Sequence, residues 1–175
     1  MRETGIIYGN SLHALAAEEG CDSVIKEQLA EVEAVRVENP DFFSMLDAPQ
    51  ISAEEKLKIA SEVFDGCHPY VVNTIRLLVE RRSLAAFGYM VKAYEKAYNK
   101  AHNIAVVTAV SAAPLDEKSE AAIVEKLKKQ LGKEIELNKK VDPSVLGGVV
   151  LRTDGLQIDG SVRSRLDAIK KEIVR

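Results

Sequence analysis

Histidine, cysteine, serine, aspartate and a paired glycine are the residues of this chain able to do chemistry, and none stands in a spacing that would activate it. His13, His68 and His102 fall on three separate stretches. Imidazole titrates near neutrality and serves a site only when partnered, so each reads as a structural side chain. Cys21 and Cys67 form no C-x-x-C pair and have no histidine cluster beside them, which indicates neither metal nor redox work. They read as thiols of a reducing cytosol. Ser111, Ser144 and Ser161 have no motif that would hold a base against a hydroxyl. Gly147-Gly148 lacks the lysine and Ser/Thr of a phosphate loop and opens no helix, so it reads as a bend or bulge at a strand entry. Asp154 and Asp159 miss the alternating ligand spacing of a calcium loop and read as a turn former and a cap for the last helix. Arg163, Arg165, Lys170, Lys171 and Arg175 suit the negative end of a terminal helix. The expectation is a chain with no catalytic residue, no cofactor and no metal.

The elements that carry these residues define two regions. Up to about His102 the apolar residues recur at helical spacing: Tyr8, Leu12 and Leu15; Ile25, Leu29 and Val32; Leu57, Ala60 and Phe64; Val71, Ile75 and Leu78; Leu84, Phe87, Val91, Tyr94 and Tyr98. Glu19-Gly20 ends the first helix, Asn39-Pro40 offers a cap with proline at the first helical position, and Ser52 with Glu55 matches a capping box. About six helices result, one of them short, and connections this brief favour a compact bundle. After His102 the period becomes that of a strand, with Ile104, Val106 and Val110 alternating with Ala105, Val107 and Ala109. An amphipathic helix through Ile123, Leu127 and Leu131 closes at Gly132. A strand with one wet face follows at Ile135, Leu137 and Val141, then a hairpin turning at Asp154-Gly155 and a last helix. The predicted fold is an all-α six-helix bundle over residues 1–102, followed by a small α+β domain with a mixed sheet and hairpin over 103–175.

Composition narrows the classes of function. Of 175 residues, 46% are hydrophobic and the formal net charge is -3, which gives no overall attraction to nucleic acid or anionic lipid. Only 5% are aromatic and tryptophan is absent, leaving few platforms for bases. No run of about 18 apolar residues occurs and the opening residues lack a secretion signal, so neither membrane insertion nor export is expected. Residues 1–102 hold 11 basic and 16 acidic side chains and the remainder 13 and 11. That asymmetry suits different partners for the two domains, and solvated helix faces would produce it equally. Two other classes draw on parts of the chain: a small nucleotide- or anion-binding regulatory module built on Gly147-Gly148 with Arg163 and Arg165, and an RNA binder with steep salt dependence.

Several segments together resemble the δ subunit of bacterial F-type ATP synthases, the relative of the mitochondrial oligomycin sensitivity conferring protein. They are YGNSLHALAAEEG from Tyr8; Asn39-Pro40-Asp41-Phe42 with Leu46, Pro49 and Lys56; NTIRLLVERRSL from Asn73 to Leu84; Val141-Asp142-Pro143-Ser144; Leu146-Gly147-Gly148-Val149; and Ile158 to Arg163 with Arg165-Leu166. Gly9 departs from the alanine usual after that tyrosine, and Arg81 stands in a stretch commonly less basic. Glycine in place of alanine weakens a helix by about 0.5–1 kcal/mol.

The resemblance implies a non-catalytic stator component at the cytoplasmic face of the bacterial membrane, peripheral to it. Its helical domain would sit on the catalytic head and receive the N-terminal helix of the α subunit. Its second domain would bind the C-terminal end of the b-subunit coiled coil. The family's groove between first and fifth helices maps to Tyr8, Leu12 and Leu15 with Ile75, Leu78 and Val79. Pattern alone assigns each of the six to the interior, because an apolar stripe ordinarily faces the core; only the resemblance turns them outward. The terminal helix through Val162, Leu166, Ile169 and Ile173 is the element assigned to the stalk partner.

Overall fold

A computed structural model describes residues 1–48, 50–143, 145, 147–153 and 156–162, with the backbone alone at 53, 156 and 157. The chain divides into two compact units, Met1–Tyr98 and Asn99–Arg175. The first contains α1 (Arg2–Glu18), α2 (Asp22–Glu38), α3 (Pro40–Asp47), α4 (Ala53–Val63) and α5 (Pro69–Glu80), then a 3-10 turn at Leu84–Ala86 and the body of α6 (Phe87–Ala101). Strand β1 (Ile104–Ser111), helix α7 (Glu117–Leu131) and strands β2 (Glu134–Val141), β3 (Val149–Thr153) and β4 (Leu156–Asp159) follow. The described residues therefore hold seven α-helices, six of them ahead of the first strand, and the 3-10 turn departs from a plain bundle.

Small residues, not large ones, decide how α1 packs. Its buried positions are Gly5, Gly9, Leu12 and Ala16. A Cβ on Gly5 would lie 2.7 Å from the Ala86 carbonyl oxygen, and one on Gly9 would lie 2.8 Å from Cβ of Ala93 and clash with the Met90 carbonyl. The α1 backbone thus rests directly on the 3-10 turn and α6. Glycine spaced four apart leaves one helix face flat enough for that approach, at a cost in helix propensity that the packing offsets. This accounts for Gly9 where alanine was expected.

Behind that contact, Leu12, Ile25, Leu29, Phe43, Val71, Ile75, Leu78, Phe87 and Tyr94 belong to one continuous core. Phe43 lies against both Phe64 and Phe87, with ring centroids 6.4 and 6.3 Å apart. Buried Tyr94 keeps its hydroxyl satisfied by donating to the Asp22 carbonyl at 2.8 Å, and burial pushes its ionisation up. The capping box forms in full, Ser52 Oγ accepting from the Glu55 N–H at 3.2 Å and the Glu55 carboxylate accepting from the Ser52 N–H. Asn39 stands at the N-cap of α3 with Pro40 in its first turn, as expected, and its side chain makes no cap bond there; its amide donates instead to the Val35 carbonyl at 3.2 Å, at the end of α2.

In the second unit the strand order is β2-β1-β3-β4, with β1 and β2 parallel and the other pairs antiparallel. Helix α7 supplies the crossover that a parallel pair requires and ends at Gly132 in the left-handed region, φ 62°. Pairing of Thr153 with Leu156 leaves a two-residue connection between β3 and β4, the hairpin expected; Asp154 and Gly155 themselves lie outside the described residues. The two glycine-bearing motifs meet here. Gly148 sits at φ 81° with its absent side chain facing the Gly160 backbone, Gly160 N–H donates to the Val149 carbonyl at 3.0 Å, and Val162 N–H donates to the Gly147 carbonyl at 3.0 Å. Gly147-Gly148 is therefore a chain junction, and the Gly147 carbonyl and the space beside Gly148 are already occupied. The Asp159 carboxylate secures it by accepting from the Ser161 N–H at 2.9 Å, which holds Asp159 below the usual carboxylate range.

Two outcomes follow from these contacts. Gly9→Ala is expected to destabilise the first unit by about 1–3 kcal/mol, the usual cost of overpacking, even though alanine favours helix; a denaturant melt followed at 222 nm checks the sign. Asp159 is lowered on folding, so its contribution is complete above the unfolded carboxylate value and is lost as pH falls through the folded one. Hydrogen exchange at Gly160 and Ser161 should therefore accelerate below about pH 4 relative to Asp159→Asn, in which that acceleration disappears.

Candidate partner-binding surface

Among the described residues, several of those singled out for chemistry serve packing and caps. His13 packs edge-on to Tyr94 and Tyr98, with centroids 5.4 and 6.5 Å apart. His68 caps α5, its Nδ1 accepting from the Tyr70 N–H at 3.3 Å. Ser111 Oγ donates to the Ala113 carbonyl at 2.7 Å. Cys21 and Cys67 are half-buried free thiols, and burial pushes the Cys67 thiol up, away from the reactive thiolate. Among the described residues no three His, Cys, Asp or Glu side chains are placed to hold a metal.

Surface remains as the feature to interpret, and α1 and α5 build it. Tyr70, in the first turn of α5, donates its hydroxyl to Glu19 just past the end of α1, at 2.8 Å; the neighbouring carboxylate pushes Tyr70 up. At the other end, the 3-10 turn that follows α5 comes back onto Gly5 near the start of α1. The start of α5 is thus tied to the end of α1, and the turn after α5 to the start of α1. Gly5, Gly9 and Ala16 point one face of α1 inward, and at helical spacing this turns Tyr8, Ser11 and Leu15 to one flank of that face. On α5, Tyr70, Thr74 and Leu77 occupy the matching flank and are half-buried.

The six positions mapped to the groove separate into two groups. Leu12, Ile75, Leu78 and Val79 are 5%, 1%, 0% and 4% exposed, so their reading as contact residues is corrected: they form the floor beneath the surface, their apolar area consumed by the core. Tyr8 is half-buried against that core, and Leu15, 50% exposed, presents a large apolar side chain to solvent. Reasoning on the sequence did not single out Tyr70 and Leu77, which the structure leaves half-buried on α5. Their signal was a seven-residue spacing at the edge of the α5 apolar stripe, where a helix shows its rim rather than its centre. For the stalk partner, Val162 is 45% exposed; Leu166, Ile169 and Ile173 lie outside the described residues, as do Arg163 and Arg165.

A helical unit with an apolar flank, joined to a small mixed sheet and using its reactive side chains for packing and caps, defines a protein-binding adaptor. The family described as the ATP synthase delta (OSCP) subunit matches residues 6–173, and the chain belongs to that family. It is 30% identical over 168 residues to ATP synthase subunit delta of Lysinibacillus sphaericus, covering 95% of this chain and 94% of the relative. Against the corresponding subunit of Lactobacillus johnsonii identity is 33% over 168 residues, covering 95% and 92%. Its fold matches a chain of the Toxoplasma gondii mitochondrial ATP synthase hexamer with a TM-score of 0.74 at 22% identity, over 98% of this chain and 97% of that one. The protein is thus a peripheral stalk component of an F-type ATP synthase and a non-catalytic subunit, the catalytic sites being in other subunits. Among the described residues no helix is long and apolar enough to cross a membrane.

The division between floor and rim has a measurable consequence. Leu15→Glu should shift unfolding stability by no more than about 0.5 kcal/mol, as surface changes do. Ile75→Glu, which puts an unpaired charge in the core, should cost more than about 4 kcal/mol. Parallel urea titrations of the two variants test the assignment.

Proposed function

We propose that the first unit holds the catalytic head by receiving the N-terminal helix of the α subunit along the α1–α5 flank, while the second unit grips the C-terminal end of the b subunit. The chain then sits peripherally, at the cytoplasmic face of the bacterial membrane, and transmits no chemistry. Its task is mechanical: rotation of the central shaft drags on the head, and a stator that yields would turn ion flow into idle rotation.

The observation that carries this reading is Leu15, half-exposed beside half-buried Tyr8 and above a fully buried floor. Helix-in-groove recognition needs apolar anchors at helical spacing on a surface that does not collapse when empty, and the floor residues provide that support. Tyrosine adds rigid apolar area with a polar tip. Residues 103–175 carry the stalk contact in this proposal, with Val162, Leu166, Ile169 and Ile173 as its elements.

Calorimetric titration of the full chain with a synthetic peptide of the α-subunit N-terminus from the same synthase tests it. Saturable binding is expected, weakened about 10-fold or more by Leu15→Glu and several-fold by Tyr8→Ala, both variants remaining folded. Absence of binding by the folded wild-type chain would overturn it.

A further inference from the structure

Among the described residues Lys56, 4% exposed, is the one buried charge. It stands near the start of α4, on the face that also buries Ala60 and Phe64 at four-residue spacing. Its methylene stem is packed into the protein, yet Nζ is not sealed away: the buried side-chain nitrogen and oxygen atoms left without a partner are His13 Nε2 and Asn99 Oδ1. Lysine characteristically buries its stem and keeps its head at the surface. Among the described residues nothing forms a hydrogen bond or ion pair with this ammonium. The exposed lysines are treated oppositely, Lys58, Lys129 and Lys139 each lying against a glutamate. The nearest carboxylates in sequence are Asp47 at the end of α3 and Glu54 and Glu55 in the first turn of α4, and Glu55 is taken up by the capping box with Ser52. Exposed ion pairs are weak largely because two long side chains must be ordered to make them. At Lys56 packing has already fixed the stem, so an incoming carboxylate meets an ammonium whose ordering cost is spent. Methionine would fill a similar volume without the charge, so the fold alone does not call for lysine here.

We propose that Lys56 is an assembly contact: its Nζ receives a single carboxylate from a protein surface of the catalytic head, forming an ion pair that the free subunit leaves open. The inference rests on the reading that the first unit holds the head, and it places a contact on α4 rather than on the α1–α5 flank. Side chains on a helix lean toward its N-terminus, which carries Nζ toward the corner between α3 and α4. Gln50, Ser52 and Glu54 are exposed there, so a partner can approach. The acidic neighbours select the occupant. With Asp47, Glu54 and Glu55 close in the chain to one ammonium, a phosphate dianion or a nucleotide is repelled more strongly than a lone carboxylate. A side-chain carboxylate carried on a surface held by other contacts has only that one charge to balance.

The test measures binding of the full chain to catalytic head purified without this subunit, at several salt concentrations. Lys56→Met is expected to keep its helicity and to unfold in urea at a midpoint no lower than wild type. It should bind the head about 10-fold more weakly, with a shallower salt dependence. Lys56→Gln, which keeps a polar tip, repeats the comparison in case methionine disturbs the packing. Inorganic phosphate at constant ionic strength should not displace the head; displacement would overturn the carboxylate assignment. Binding by a folded Lys56 variant as tight as wild type, with the same salt slope, overturns the contact and leaves the head-binding reading standing. A midpoint well below wild type for both variants assigns Lys56 to the fold and overturns the contact as well. Failure of the wild-type chain to bind the head overturns both readings.

Discussion

The backbone-to-backbone contact of α1 with α6 and the turn before it is the constraint on which the first unit depends. Gly5 and Gly9 remove the side chains that would hold the helices apart, so α1 settles with one face flat against its neighbours. Its rotation about its own axis is then fixed. Once Gly5, Gly9, Leu12 and Ala16 face inward, Tyr8 and Leu15 are turned to the flank, and nothing further is needed to place them there. A packing rule near one end of a helix thereby sets a surface several turns away.

Stiffness follows from the same arrangement. The residues beneath the flank come from α1 and α5 and join one continuous core with those of the other helices, so a load applied at Leu15 is passed into close-packed side chains rather than a mobile loop. Tyr70 bonded to Glu19 ties the ends of the two helices and resists their separation. The second unit reaches its rigidity differently, by pairing strands and by closing Gly147-Gly148 against Gly160 through backbone hydrogen bonds. Two remote sequence motifs turn out to be the halves of one junction, which is why both needed glycine.

Periodicity made most elements legible. Helices, the switch to strands, the capping box at Ser52 and Glu55, the end of α7 at Gly132 and the hairpin all left local signals, because caps and turns are decided by neighbours in sequence. Tertiary facts were not legible. Gly9 read as a weak point in a helix, since nothing local reveals Met90 and Ala93 pressed against it. Asn39 holds the cap position of the following helix as read, but its side chain bonds back to the preceding one. The family groove, transferred residue by residue, selected Ile75 and Leu78 because a stripe pattern marks its centre, and the structure buries both in the core. That the subunit is non-catalytic, as its family shows, was the site-level conclusion open to sequence.

Reconstituting the ATP synthase with this subunit as Leu15→Glu, and comparing ATP hydrolysis with ion-driven ATP synthesis, tests the central claim most directly. If the α1–α5 flank anchors the head, hydrolysis persists near the wild-type rate while ion-driven synthesis falls several-fold, because the head turns with the shaft. Synthesis at the wild-type rate with a subunit unable to hold the α-subunit helix would contradict the account.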